Sequence, residues 1–247
     1  MKWRIIKYSE NDASTNMAID EAVSESVAAG GPPTIRFYGW KPSAVSIGYF
    51  QSIEKEVDLE KCSDMGVGVV RRRTGGGAVY HDNEGEVTYS IIGREELFPK
   101  DIIASYKLIC GWICESLSLL DISSQFKPIN DIIVGGKKIS GNAQTRRGGV
   151  LLQHGTVLCD VNVDKMFSVL KVPDEKVKDK MIKTVKERVT SVKQQRYATK
   201  HDVYTALMRG FTHEKEFYVD SLTPEEIKRA MELAETRYGS REWNHMR

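Results

Sequence analysis

The chain has 247 residues and carries 36 lysines and arginines against 34 aspartates and glutamates, a net charge of +2. A balance this even argues against a general nucleic-acid or polyanion binder, so an anion site would have to be local. The longest apolar runs are far shorter than the roughly 20 residues of a membrane span, and the first residues lack the apolar stretch of a signal peptide. These features predict a cytoplasmic protein with no nucleic-acid or membrane partner.

The hydrophobic pattern of the first half predicts strands separated by amphipathic helices. Strands are predicted at 1–8, 34–40, 44–49, 66–72, 78–81 and 86–92. Helices are predicted at 11–30, 54–64 and 101–120. We expect the strands at 34–40 and 44–49 to pair around a turn at 41–43. Arg36 falls within the first of these two strands, where an arginine is either exposed at a sheet edge or held over a site.

The second half begins with a glycine-turn hairpin. The pattern over 127–144 predicts a strand, a turn at Gly135 and Gly136, and a second strand. A basic flexible loop is predicted at 146–149, followed by a strand at 150–160. Gly155 interrupts that strand, which indicates a bulge or a close approach by a ligand.

The chain from about residue 162 onward is predicted to be mainly helical. Helices are predicted from Val172-Pro173, at 201–211 and at 224–238, with a short strand at 216–219. No linker or internal repeat divides the chain. We therefore expect a single domain over 1–247 with a helical C-terminal portion.

The most informative stretch is 71–82, with the sequence RRRTGGGAVYHD. Three consecutive glycines tolerate positive φ and close approach, so the amides of the loop can face a bound group. Arginine holds phosphate or carboxylate through two parallel hydrogen bonds. The stretch predicts an anion-binding loop, although a glycine turn beside a solvated basic patch fits the same residues.

Several other chemistries have no signature in the sequence. The four cysteines, Cys62, Cys110, Cys114 and Cys159, have no zinc-site spacing, so we expect no structural metal. The GxxxxGK[ST] pattern of phosphate loops, the GxGxxG pattern of dinucleotide sites and the GxSxG pattern of hydrolases are all absent.

Three stretches in chain order carry a resemblance to a known family: RRRTGGGAVYHD, KPINDIIVGGKKISGNAQ and LLQHGTVL. Together they resemble the catalytic domain of lipoate-protein ligase A, in the superfamily shared with biotin protein ligases and octanoyl transferases. The later stretches KVPDEKVKDK, ERVTSV and REWN are most similar to the archaeal form. The resemblance spans nearly the whole chain. It implies an α/β fold with a mixed β-sheet flanked by helices, related to class II aminoacyl-tRNA synthetases.

The resemblance also implies an ATP-dependent reaction, with ATP and Mg²⁺ as cofactors and lipoate as substrate. Lipoate would be converted to lipoyl-AMP, and the lipoyl group would pass to a lysine of an acceptor protein. The implied acceptors are the lipoyl domains of 2-oxoacid dehydrogenase complexes and the glycine cleavage H protein. Such a site must neutralise the repulsion between a carboxylate and a phosphate. It needs no side-chain nucleophile, because the adenylate is already a mixed anhydride and the enzyme supplies proximity and electrostatics.

Motif matching places Lys138 at the centre of the site, in contact with both the lipoyl carbonyl and the α-phosphate. Lys137 should point to the opposite face of its strand. The resemblance assigns nucleotide binding to Lys138, Arg72, Gly75, Gly76, Gly77, Ala78, Val79 and Tyr80. It assigns the acyl substrate to Lys138, Gly141, Ala143, His154, Gly155 and Thr156.

The remaining candidates have less definite roles. Asn130 and Asp131 match a family pair that would position either Mg²⁺ or the lysine. Arg36, His81 and Asp82 are further candidates, and His81 could equally be a structural histidine.

Two alternatives to the ligase stay open. A cysteine-dependent octanoyl or lipoyl transferase shares these motifs and uses no ATP, but its thiolate would have to lie in the cleft, and 135–156 contains no cysteine. A non-catalytic lipoate-binding protein would retain the pocket alone. A biotin ligase is disfavoured, because its GRGRxxR loop is replaced here by three glycines.

The resemblance further implies an accessory protein. Many bacterial ligases carry an additional C-terminal domain for which this chain has no room, and archaeal relatives supply it as a separate small subunit. We therefore expect weak or no overall activity from the isolated chain. The tail at 242–247, with Trp243, is expected to be exposed and to contact that partner.

Overall fold

The computed structural model describes residues 1–171 and 175–247, and it leaves the side chains of 175–179 undescribed. The strands of the described part are β1 (Trp3–Asn11), β2 (Thr34–Trp40), β3 (Ala44–Ile47), β4 (Gly68–Arg71), β5 (Val79–His81), β6 (Glu86–Arg94), β7 (Gln125–Lys127), β8 (Asp131–Val134), β9 (Lys137–Arg147), β10 (Val150–Leu158) and β11 (Phe217–Asp220). The helices are α1 (Ala13–Ala28), α2 (Ile53–Glu56), α3 (Leu59–Asp64), α4 (Ile102–Ser118), α5 (Val163–Val169), α6 (Glu175–Arg188), α7 (Val192–Gln195), α8 (Lys200–Thr212), α9 (Pro224–Leu233) and α10 (Arg241–Asn244).

The strands form two sheets. The larger has eight strands in the order β11-β1-β2-β6-β10-β9-β8-β7, and the smaller has three in the order β4-β3-β5. In the large sheet β1 runs parallel to β2 and β11, whereas the neighbours from β2 to β7 run antiparallel. The predicted mixed β-sheet flanked by helices is confirmed.

The predicted pairing of 34–40 with 44–49 is wrong. β2 is buried along its whole length and lies between β1 and β6, so it has no free edge for β3. The chain instead crosses at 41–43 to the small sheet, where β3 pairs with β4 and β5.

Helices cover both faces of the large sheet. α4 and α8 supply residues such as Ile109 and Phe211 to one core cluster, and α1 and α9 supply Val23 and Leu233 to another. α4 begins at the predicted place because the Asp101 side chain accepts the amide of Ala104 at 2.7 Å, satisfying a helix-terminal donor. A third, smaller cluster lies against the three-stranded sheet.

Two glycine pairs make hairpin turns. Gly135 and Gly136 have φ of 56° and 81°, which confirms the predicted β8–β9 hairpin. Gly148 and Gly149 have φ of 58° and 75° and join β9 directly to β10. The predicted basic flexible loop at 146–149 is therefore wrong, since the arginines belong to the strand and only the glycines turn.

The C-terminal portion is helical, with β11 as its one short strand among the described residues. The predicted helix start at Val172-Pro173 lies outside the described residues. α9 continues into a π-helical turn at Ala234–Tyr238 and then into α10. The predicted exposed tail is wrong in part, because Asn244 is buried and Trp243 half-buried. Within the described ranges, no helix is both long and apolar enough to cross a membrane. The single domain over 1–247 stays a prediction.

Candidate active site

A cavity of about 400 Å³ takes its walls from both sheets and from α5 and α6. Most residues singled out from the sequence line it: Arg72, Gly76, Gly77, Ala78, Val79, Tyr80, His81, Asp82, Asn130, Lys138, Gly141, Ala143, His154, Gly155 and Thr156. Three do not, namely Gly75, Asp131 and Arg36. The three motifs, far apart in sequence, thus converge on one cleft.

Lys138 enters the cleft because of the local geometry of the β8–β9 hairpin. The register shifts between Ile132 and Ile133, which pair with Ser140 and Lys138, so a bulge forms in β9 directly after Lys138. A Cβ atom on Gly141 would lie 2.7 Å from both Cε and Nζ of Lys138, so this glycine makes room for the lysine side chain. Lys137 is exposed and outside the cleft, as strand alternation predicted.

Two contacts hold Lys138 in place. Its Nζ lies 2.6 Å from Asp131 Oδ1, an ion pair without good hydrogen-bond geometry. Its backbone carbonyl accepts the amide of Thr190 at 2.8 Å, which ties the lysine to the segment after α6. Of the two roles considered for Asp131, orienting the lysine is the one that the described geometry displays.

Of the two explanations predicted for Gly155, the bulge is wrong. β10 pairs with β6 and β9 in unbroken register, so there is no bulge at this glycine. A Cβ atom there would lie 2.0 Å from Asn142 Oδ1. The glycine therefore accommodates the side chain of Asn142, whose Oδ1 accepts the hydroxyl of Tyr89 at 2.7 Å and whose Nδ2 donates to the Asn130 carbonyl at 2.8 Å.

Arg72 is the organiser of the glycine loop. Its Nε donates to Thr74 Oγ1 at 3.2 Å, and one terminal nitrogen donates to the carbonyl and hydroxyl of Ser46. The other terminal nitrogen donates to the carbonyls of Gly75 and Gly77 at 2.8 and 2.7 Å. A guanidinium has five N–H donors, and all five are engaged here. Burial lowers the pKa of Arg72 to about 10, which leaves it charged at neutral pH. The predicted nucleotide contact of Arg72 would thus require one of these bonds to be exchanged.

A buried Asp–His pair supports Arg72 from one side. His154 Nε2 lies 2.7 Å from Thr74 Oγ1, and its Nδ1 lies 3.4 Å from Asp20 Oδ2. Asp20 also accepts from Arg36 at 2.9 Å. Although Thr74, His154 and Asp20 are arranged like a nucleophilic triad, Thr74 is fully buried and accepts from Arg72, so this threonine is not placed to attack a substrate.

Arg36 fits neither of the positions expected for it. It is 1% exposed in an interior strand, and its guanidinium is engaged by Asp20 and by the side chain and carbonyl of Asn16. It reaches the cleft only indirectly, through the Asp20–His154 pair.

A second carboxylate–histidine pair supports Arg72 from the other side. His81 Nδ1 lies 2.7 Å from Glu86 Oε1, and its Nε2 lies 2.8 Å from Ser46 Oγ, which Arg72 also contacts. The imidazole stacks on the indole of Trp40 with the ring centroids 3.9 Å apart. His81 therefore both lines the cleft and takes part in the structural network.

Stability is expected to fall as the pH falls through the range in which free histidine titrates. Burial lowers the pKa of His154 below its ordinary value of 6.5, and Asp20 only partly offsets this. The unfolded chain binds a proton at His154 below that value, whereas the folded chain resists it, so the contribution is present above pH 6.5 and is lost towards the lower folded pKa. Urea unfolding between about pH 7.5 and 5.5 measures this in wild type and His154→Gln. The variant should show a shallower pH dependence, and an unchanged slope would contradict the assignment.

The three arginines of the loop have separate partners. Arg71 is fully buried against backbone carbonyls, and Arg73 pairs with the buried Glu21 at 2.8 Å. Of the three, Arg72 alone lines the cleft. This agrees with the alternation expected along the strand.

No cysteine lines the cleft, and all four cysteines lie in the described part of the chain. Burial raises the pKa of Cys62 to about 11 and those of Cys110 and Cys159 to about 12, and it also raises the pKa of Cys114. These thiols are therefore protonated at neutral pH. Among the side chains that the structure describes, no three or more His, Cys, Asp or Glu residues group in a way that could hold a metal ion.

A model of the lipoyl protein ligase A/B catalytic domain matches residues 12–212. The chain belongs to this family. An octanoyltransferase LipM from Brevibacillus brevis is 36% identical over 98% of each chain. A chain from the bipartite lipoate protein ligase of Thermoplasma acidophilum superposes with a TM-score of 0.92 at 35% identity, covering 99% of this chain and 96% of that one. A lipoate-protein ligase A bound with ATP superposes with a TM-score of 0.87 at 32% identity over 99% of each chain.

The protein is thus an enzyme of the lipoate ligase and transferase family. The predicted family and fold are confirmed. The more specific archaeal-type prediction is not supported by the bacterial LipM relative, although the T. acidophilum structure is the neighbour with the higher TM-score of the two reported.

Sequence reasoning missed several residues that line the cleft or lie directly behind it. Asp20, Ser46, Thr74 and Glu86 form the carboxylate–histidine network but were not singled out. One signal was available for Asp20, which lies with Asn16 and Glu21 among the apolar positions of the predicted first helix. Polar residues on the buried side of a helix require partners, and all three are buried.

Proposed function

We propose that this chain is an ATP-dependent lipoate-protein ligase, which converts lipoate to lipoyl-AMP and transfers the lipoyl group to a lysine of an acceptor protein. The observation that carries the proposal is a cleft with a positioned lysine and a glycine loop but no thiol. Adenylate chemistry can proceed in such a cleft, because AMP is the leaving group of the mixed anhydride. Thiolate chemistry cannot proceed there, because it needs a cysteine side chain in the cleft.

Lys138 is the central catalytic residue of this proposal. Its ammonium group would bridge the acyl carbonyl and the α-phosphate, two groups that repel each other without it. A charge placed where negative charge develops lowers the barrier, and the partly enclosed cleft strengthens its effect. Asp131 would keep the lysine oriented until the substrates bind.

The glycine loop would bind the nucleotide. Gly76 and Gly77 line the cleft and Gly76 has φ of 96°, a conformation in which the backbone can approach a phosphate closely. Arg72 holds this loop through two of its carbonyls, leaving its amides free to face the ligand. The predicted contacts at Ala78, Val79 and Tyr80 would continue along the same wall.

The residues present fit a magnesium ion that arrives with ATP. Asp131 lies beside the cleft, where its Oδ1 pairs with Lys138 without a well-formed hydrogen bond, and Asn130 lines the cleft. Magnesium is usually held by one or two carboxylates plus phosphate oxygens. Asp131, with Asn130 beside it, would hold the ion, which would screen the phosphate charge.

The rest of the cleft is suited to an apolar chain. Its wall includes apolar side chains from six elements and from the segment after α6: Met17, Trp40, Val79, Leu158, Met166, Val185 and Val189. Ala143, His154, Gly155 and Thr156 form the adjoining floor and are the proposed acyl-contacting residues. Both lipoate and octanoate have an apolar chain that could pack against this surface.

ATP-independent octanoyl transfer is the second candidate function. The relative LipM, named an octanoyltransferase, supports it at 36% identity. The alignment with LipM spans 273 positions, more than the 247 residues of this chain, so LipM carries residues that this chain lacks.

A donor assay separates the two candidates. One arm contains lipoate, ATP, Mg²⁺ and an acceptor lipoyl domain, and the other contains octanoyl-acyl carrier protein and the acceptor without ATP. We expect acylation in the first arm, and we expect Cys→Ala variants at each of Cys62, Cys110, Cys114 and Cys159 to retain most of it. Acylation in the second arm that is lost in one of these variants would establish the transferase. Lipoate binding without acylation in either arm, even after a small accessory subunit is added, would leave a non-catalytic binding protein.

We further propose that the enzyme works in the cytoplasm with a separate small accessory protein. The bipartite lipoate protein ligase from T. acidophilum, whose structure superposes closely, supports such a partner. Acylation by the isolated chain should be weak and should rise when the small subunit of that ligase is added. Full lipoylation by the isolated chain would refute the accessory protein.

A further inference from the structure

The segment 238–244 lies against the strand that leads into the glycine loop. Asn244 is 8% exposed, and its Oδ1 accepts the backbone amide of Arg71 at 2.7 Å. Trp243 donates its indole N–H to the Arg71 carbonyl at 2.9 Å. The end of β4 is therefore paired with α10 through both backbone polar groups of one residue.

The guanidinium of Arg71 is held by the same two residues. Its Nε donates to the Trp243 carbonyl at 3.1 Å, and one terminal nitrogen donates to the Asn244 carbonyl at 2.7 Å. The other terminal nitrogen donates to the carbonyls of Gly48, Tyr49 and Gln51 at 3.2, 3.0 and 2.6 Å. Arg71 thus fastens the turn 48–51 to segment 238–244.

The turn 48–51 in turn supports the glycine loop. The amide of Tyr49 donates to the Thr74 carbonyl at 2.9 Å. Gly48 lies so close to the loop that a Cβ atom on it would be 2.0 Å from the Gly76 carbonyl oxygen. The loop residues that line the cleft therefore pack against a turn whose carbonyls accept hydrogen bonds from Arg71.

Segment 238–244 is itself anchored to the same region. Asn244 Nδ2 donates to the carbonyls of Tyr238 and Ser240 at 2.7 and 3.0 Å. The Tyr238 hydroxyl donates to Glu21 at 2.6 Å, and Glu21 also pairs with Arg73. Arg71 and Arg73, on both sides of Arg72, are thus connected to this segment. The segment can therefore fix the backbone position of the loop.

We propose that segment 238–244 positions the glycine loop for the nucleotide, with Trp243 and Asn244 as its positioning residues. They touch neither the cleft nor a substrate and act through Arg71 and the turn 48–51. The identity of the ligand as a nucleotide rests on the proposed function. The support that segment 238–244 gives to the glycine loop does not depend on it. Loss of either residue should loosen the loop locally and weaken nucleotide binding more than lipoate binding.

Hydrogen exchange and steady-state kinetics test this in Trp243→Phe and Asn244→Ala. Val203→Ala serves as the control, because it removes buried methyl groups from α8, which packs on the face of the large sheet opposite to α1 and α9. We expect exchange of the Tyr49 amide, which donates to the Thr74 carbonyl, to become about tenfold faster in Asn244→Ala, the equivalent of one lost hydrogen bond, and less so in Trp243→Phe. KM for ATP should rise about tenfold while KM for lipoate stays within about twofold.

Unchanged exchange of the Tyr49 amide, or an equal increase in Val203→Ala, would overturn the positioning role. Equal rises in both KM values would also overturn it. A wild-type enzyme with no ATP dependence would refute the proposed function alone, and the exchange measurement, which needs no substrate, would then decide the role of the segment.

Discussion

Replacing Lys138 with alanine is expected to lower the rate of acylation about 100- to 1000-fold, the usual consequence of removing a group that stabilises charge in the transition state. The ammonium group is the cation of the cleft whose hydrogen-bonding capacity is not filled by backbone carbonyls, in contrast to Arg72. Without it, the carboxylate and the α-phosphate would meet with their repulsion uncompensated.

The Lys138→Ala variant should nevertheless fold normally. The side chains of Lys138 and Asp131 are 42% and 32% exposed, so their ion pair contributes little to the free energy of unfolding. Acylation rates and thermal unfolding are measured on this variant beside Lys137→Ala, whose neighbouring side chain is exposed and outside the cleft. Equal losses of activity in both variants, or none in either, would contradict the central role of Lys138.

Replacing Gly48 with alanine is expected to produce the second large effect, through the backbone. The new Cβ would lie 2.0 Å from the Gly76 carbonyl oxygen and 2.9 Å from its carbonyl carbon. Neither partner is a flexible side chain, so the glycine loop or the turn 48–51 must shift. A shift of about 1 Å in a catalytic element can cost about 100-fold in rate, and overpacking of this kind costs about 1–3 kcal/mol of stability.

Gly111→Ala is the matched control for Gly48→Ala. Gly111 lies in α4, and a Cβ atom there would meet nothing within 4 Å. This variant should gain up to about 1 kcal/mol of stability, because alanine favours the helix, and should keep full activity. Activity near the wild-type level in Gly48→Ala would show that the contact with Gly76 does not set the loop geometry.

The elements that depend on local pattern were predictable from the sequence. β2 has the predicted bounds because its apolar and β-branched residues are flanked by proline and turn residues. The Gly135–Gly136 turn follows from the requirement for positive φ, and strand alternation placed Lys137 on the face opposite to Lys138. These features are decided within a few residues of chain.

The features that depend on distant partners were not predictable. Thr74 and His154 are 80 residues apart, and Arg71 and Trp243 are 172 apart. The sequence shows that these residues can form hydrogen bonds, but it does not reveal which distant residue each one contacts. Gly155 shows the difference most clearly, because its position in mid-strand was evident, yet the atom it accommodates belongs to Asn142 on the next strand.

The central claim is that this cleft activates an acid with ATP and without an enzyme thiol. Incorporation of labelled pyrophosphate into ATP, measured with lipoate, octanoate and biotin in turn, tests it most directly. We predict exchange that depends on lipoate or octanoate, is absent with biotin and is lost in Lys138→Ala. The absence of acid-dependent exchange in a preparation that transfers octanoyl groups from acyl carrier protein without ATP would contradict the claim.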